Sequence, residues 1–185
     1  MDTAVNSREY RVLFFCPASS PHEKRLEAPV RRLLSRIEGP PAELAPVGAA
    51  GATELKAGGW SAYEVRSTSE RSAAHALAAY VAEVTCAIAA ELDAEVLGLY
   101  VDVESDGARL CRCGPTEGPE TFAGRREPVL LRAGEWLGLP ATALTGLFSI
   151  DVDEEQDADD RFVEEKLKEA RALMQRYRDA RREGT

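Results

Sequence analysis

The stretch "EVLGLYVDVESDGARLCRCG", residues 95–114, limits what this chain can fold into more than any other. Asp106-Gly107 suits the favoured two-residue hairpin turn, whose central positions both need positive φ, and strand-forming residues flank it on both sides. The segment therefore predicts a β-hairpin and an antiparallel sheet. Its register sets Val103 opposite Leu110 on one face, with Glu104 opposite Arg109 and Asp102 opposite Cys111 on the other. Leu97, Leu99, Val101 and Val103 then turn toward the core.

Other elements gather round this hairpin. "YRVLFFCP" from Tyr10 is a continuous apolar run closed by Pro17 and reads as a buried strand. After it, Ser20, Pro21 and Glu23 have the pattern of a capped helix start. Leu26, Val30, Leu33, Leu34 and Ile37 follow at helical spacing, with Pro29 marking a kink or restart and Gly39-Pro40 a stop. Residues 39–59 are rich in Pro, Ala and Gly without a period, which predicts a mobile loop. "WSAYEVRS" from Trp60 is a second strand.

A long central helix follows, with Ser67 and Glu70 at capping-box spacing. Leu77, Val81, Val84, Ile88 and Leu92 form its apolar stripe. Its other side carries His75, Ala79, Ala82 and Cys86, small or neutral residues that suit a second covering helix. A loop over "GPTEGPETFAGRREP" then leads into two short helices near Pro128 and Pro140. The fold expected is α+β: a small, largely antiparallel sheet covered on one face by the helix over 77–92, with a long amphipathic C-terminal helix packed on that helix's alanine side. Residues 1–150 would form the domain and residues 151–185 the C-terminal helix, packed on the same domain.

That last element opens in "DVDEEQDADDRFVEEK", whose alternating carboxylates resemble a calcium loop. From Asp153, however, the position that needs Gly for a sharp turn is Ala158, and the apolar pairing position is Asp160. Acids at a helix start and arginines at its end instead suit the helix dipole, so the sequence predicts a solvated helix entrance and no metal site. Val163, Leu167, Ala170, Met174 and Tyr177 continue it as an apolar stripe.

Catalytic patterns do not assemble. The strand end "VLFFCPASSPHEKR" resembles that of the low-molecular-weight phosphatases, whose cysteine thiolate sits over a phosphate loop closed by an arginine six residues later, but counted from Cys16 that position is His22. Cys111 and Cys113 have Cys-x-Cys spacing and no second pair for zinc. Neither phosphate-cradling nor dinucleotide glycine motifs occur, and no cofactor is expected. A net charge of −9 disfavours nucleic acid. No apolar run approaches the ~20 residues of a membrane helix, and the four cysteines read as reduced, so a cytoplasmic protein without membrane contact is expected.

The functional expectation is a non-enzymatic protein-binding module of adaptor, regulator or toxin-neutralising type. It would dock through Val163, Leu167, Met174 and Tyr177, and that stripe leaves a homodimer open. The alternative is a small-ligand protein or enzyme with a pocket near Cys16, Ser19 and Ser20, joined by His22 or His75.

Overall fold

Val12, Leu13, Phe14, Phe15 and Cys16 are successive residues of β1 (Tyr10–Pro17), and all of them are shielded from water. Neighbouring side chains on a strand point to opposite faces, so such a run must be covered on both sides. The computed structural model, which describes residues 10–19, 23–47 and 55–148, shows how this is done. The chain divides after Leu147 into two units, and all of the described residues except Phe148 belong to the first.

The elements following β1 are α1 (Glu23–Arg36), β2 (Ala42–Pro46), β3 (Trp60–Ser67), α2 (Ala73–Leu77), α3 (Val81–Leu92), β4 (Val96–Asp102), β5 (Gly107–Cys113), β6 (Glu120–Arg125), α4 (Arg126–Leu137) and α5 (Ala141–Phe148). The strands form one six-stranded sheet in the order β2-β3-β1-β4-β5-β6, antiparallel throughout. An α+β fold on an antiparallel sheet is thus as expected, but the sheet is larger than expected and has helices on both faces.

One face carries Val12, Phe14 and Cys16 of β1, Val96 and Tyr100 of β4, and Cys111 and Cys113 of β5. These pack under Leu26, Val30, Leu33 and Leu34 of α1, Leu77 of α2, and Val81, Val84 and Ile88 of α3. The opposite face carries Leu13, Phe15, Leu97, Leu99, Val101 and Leu110, and α4 lies against β4, β5 and β6 there. The Trp60 indole N–H donates to the Leu137 carbonyl at the end of α4, 3.1 Å away. Arg11 joins three elements on this side: its Nε donates to Glu64 Oε1 of β3 at 2.6 Å, and its Nη1 donates to the Leu147 carbonyl of α5.

Several expectations are corrected. Residues 39–59 contain β2, whose Ala42 and Leu44 are buried while Glu43 is exposed; this alternation is hidden among Pro, Ala and Gly. Glu120–Arg125, read as loop, is β6. Helix α1 runs through Pro29, giving up one backbone bond to the exposed Arg25. The central helix is broken in two. Ala78 N–H donates to His75 O and Tyr80 N–H to Leu77 O in a tight turn, while Arg109 Nη1 donates to the Ala78 carbonyl at 3.1 Å. The cap of α2 is Ser72, with Ser67 Oγ accepting from Ala73 N–H instead. The predicted stripe nevertheless survives the break, with Leu77, Val81, Val84 and Ile88 buried.

The hairpin forms in a different register. Asp102 pairs with Gly107 and Leu99 with Leu110, leaving residues 103–106 as the turn and Val103 outside the strand. Asp102 drives this change: Oδ1 accepts from Glu104 N–H and Ser105 N–H, and Oδ2 from the Ser105 hydroxyl, while Asp106 takes φ 57°. Side-chain closure of an Asx-type turn thus prevails over the two-residue turn.

Helix α3 approaches β4 where Gly98 has no side chain. A Cβ there would lie 2.0 Å from Thr85 Oγ1, and 3.2 Å from both Phe14 Cε1 and Val81 Cγ1. Gly98→Ala should therefore destabilise the fold by about 1–3 kcal/mol. Part of that loss should return in Gly98→Ala/Thr85→Ala, measured as a double-mutant cycle by chemical denaturation. Simple additivity of the two changes would contradict this contact.

Candidate functional site

Cys16 and His75 lie at opposite ends of β1, and this separates the residues expected to share a pocket. Cys16 is next to the strand's last residue. His75 packs its ring on that of Tyr10, the strand's first residue, at a centroid distance of 4.4 Å. The six residue steps from Tyr10 to Cys16 span about 20 Å. Ser19 is exposed, and Ser20 and His22 lie outside the described residues. So do Val163, Leu167, Met174, Tyr177 and the acidic stretch over 151–166.

Cys16 is a poor nucleophile as placed. Burial pushes its thiol up to about 11, so it stays protonated at neutral pH; its Sγ lies 3.8 Å from the Ser61 carbonyl. At the other end, Tyr10 stacks on Tyr100, centroids 6.5 Å apart. Burial first, then the charges of Asp102 and Tyr10, push Tyr100 up to about 12 against an opposing effect of Arg109. For Asp102, burial acts to raise the value, but the hydrogen bonds from Ser105 and Glu104 and the charge of His75 outweigh it and lower it. Tyr100 thus keeps its proton and Asp102 its charge near neutral pH, with both carboxylate oxygens committed to the turn. This cluster ties α2, β1 and β4 together at one end of the sheet.

The reduced state expected for all four cysteines is corrected: Cys86 of α3 and Cys113 of β5 form a disulfide with Cα atoms 5.2 Å apart, leaving Cys16 and Cys111 as buried free thiols. Helix and strand positions this distant in sequence meet only through the tertiary fold, so spacing could not reveal the pair. With the disulfide, cysteine usage no longer argues for a reducing compartment. Among the described residues no helix is long and apolar enough to cross a membrane, and no three potential metal-ligating side chains cluster.

The feature that sequence reading missed is the sheet edge at β6. Arg126 N–H donates to Asp106 O at 2.8 Å, continuing the β5–β6 ladder and setting its phase. Hydrogen-bonded pairs alternate along an antiparallel ladder, so Glu120, Phe122 and Gly124 direct their backbone groups to β5. Thr121 and Ala123 direct theirs outward, as does the N–H of Arg125, whose carbonyl begins α4. Every residue of β6 is exposed except Phe122, which is half-buried beneath the Arg132 guanidinium, 5.6 Å from the ring centroid. The only sequence signal for this strand is the Thr121-Phe122 pair, set among Gly and Pro. The opposite edge, β2, is shorter, ends in Pro46 and adjoins α1.

Thiol chemistry tests this arrangement. At neutral pH, iodoacetamide should label no cysteine in the folded chain, two after unfolding without reductant, and all four after unfolding with reductant, counted by mass. Cys86 labelling in the folded sample would contradict the disulfide. Burial also pushes Cys111 up to about 11, against a smaller lowering by Thr85. Because both free thiols are raised from 9.0, the unfolded chain loses these protons first. Their contribution to stability is present below about pH 9 and is lost as pH rises through about 11. Cys16→Ala should flatten that loss in denaturation curves taken across this range.

Comparison with protein-family models, curated proteins and solved structures finds no match for the chain.

Proposed function

We propose that this chain is a non-enzymatic protein-binding module, of adaptor, regulator or toxin-neutralising type, and that β6 is its docking element. The observation that carries the reading is the outward row of backbone groups at Thr121 and Ala123, continued by the Arg125 N–H, on an exposed strand. Edge strands of soluble proteins are ordinarily blunted by proline, lysine, a bulge or a covering element, because an open edge recruits another strand. β6 contains neither proline nor lysine, and its middle residues, from Thr121 to Gly124, are uncharged. An extended partner segment added here would gain main-chain hydrogen bonds, with Phe122 as an apolar contact. The alternative pocket near Cys16 has no comparable support, because that thiol is buried and protonated.

Proline at an outward-facing position removes an edge donor without breaking the ladder to β5. Ala123→Pro should therefore keep thermal stability within about 1 kcal/mol of the parent. It should also abolish capture of a stoichiometric partner when the full chain is used as bait in a lysate of its own cells. Capture undiminished by this substitution would reject β6 as the docking element.

A further inference from the structure

We infer that the strand seated on the β6 edge is β6 of a second copy of this chain, related by a two-fold axis at Ala123; this rests on reading β6 as a docking element. In regular antiparallel pairing only outward-facing residues can exchange hydrogen bonds with one another. For two identical strands, that rule places the symmetry axis at a residue that faces itself. Ala123 is the central outward residue, and setting it opposite its copy fixes every other pair. Thr121 then faces Arg125 of the second copy, Phe122 faces Gly124, and Glu120 faces Arg126.

Each of these pairs is chemically compatible. The space above Gly124 is open, with nothing within 4 Å of the position a Cβ would occupy, and the facing Phe122 ring would cover it. Phe122 is the one half-buried side chain of β6, so strand addition would complete its burial. Glu120 already feels the charge of Arg112, and Arg126 Nε lies 3.4 Å from Asp106 Oδ1, so the new opposite-charge pair would extend an existing network. Exposed pairs of this kind contribute little affinity but help select register.

Competing registers fit less well. A two-fold at Phe122 sets the two aromatic rings against each other, leaves Glu120 facing Gly124 and brings Pro119, which has no N–H, to a bonding position. A two-fold at Gly124 places Phe122 opposite Arg126 and shortens the overlap. The Ala123 register makes about four backbone hydrogen bonds between chains, two at Ala123 and one from each Arg125 N–H to the Thr121 carbonyl of the other copy, because the Arg125 carbonyl begins α4.

Sedimentation equilibrium on the full chain, from roughly 1 to 500 µM, tests this. The parent should show a monomer–dimer equilibrium, and Ala123→Pro should be monomeric throughout. Gly124→Val fills the space reserved for Phe122 of the second copy and should weaken the dimer at least tenfold while leaving the monomer folded. Glu120→Arg should weaken it as well, and Glu120→Arg/Arg126→Glu should recover it. A parent chain that stays monomeric, while a lysate partner is still lost on Ala123→Pro, would overturn self-pairing and leave strand docking intact. A dimer indifferent to both Ala123→Pro and Gly124→Val would place the interface elsewhere and reject the inference.

Discussion

The double-sided burial of β1 governs this fold. Five successive apolar residues with no access to water cannot be accommodated by a sheet that has one wet face. The chain responds by placing α1, α2 and α3 on one side and α4 on the other, with β3 and β4 flanking β1 in the plane. β4 shares the constraint, since Val96, Leu97, Leu99, Tyr100 and Val101 are all buried as well. Among the described residues, no buried side-chain nitrogen or oxygen lacks a hydrogen-bond partner. Arg11 is held by Glu64 and a helix carbonyl, and the Thr85 hydroxyl donates to Val81 O at 2.6 Å.

Three helix ends show how local strain is accepted in return for satisfied backbone groups. α1, α3 and α4 each end with a residue in the left-handed region: Glu38, Asp93 and Gly138. The next N–H in each case bonds five residues back: Gly39 to Leu34, Ala94 to Ala89 and Leu139 to Gly134. This is the Schellman arrangement. Only the third uses glycine at the left-handed position, so Glu38 and Asp93 hold a conformation that an L side chain disfavours by roughly 1–2 kcal/mol.

What could be read from the sequence was set by how local each signal is. The β1 run, the α1 stripe, the existence of the hairpin and the stripe spanning α2 and α3 depend on neighbouring residues, and all are present. What escaped depended on distant partners. β2 and β6 are too short and too rich in Ala, Gly or Pro to declare themselves, and they become strands by pairing with β3 and β5. The break before α3 is stabilised by Arg109, and the hairpin register by one carboxylate that bonds three donors. The candidate site was less legible still. Cys16 and His75 carried the obvious chemistry, yet the topology holds them at opposite ends of one strand. The open edge at β6 arises from sheet order, which no spacing in the sequence encodes.

The disulfide between Cys86 and Cys113 has a covalent consequence apart from rigidity. Its partners are 27 residues apart, and the link closes α3, β4 and β5 into a ring. Such closure stabilises by about 3.5 kcal/mol on a chain-entropy view. The ring includes the turn at residues 103–106, where Glu104, Ser105 and Asp106 are exposed to a protease. A chain severed there would still be one molecule: its two pieces would remain joined through sulfur and would separate only when a reductant opened the bond.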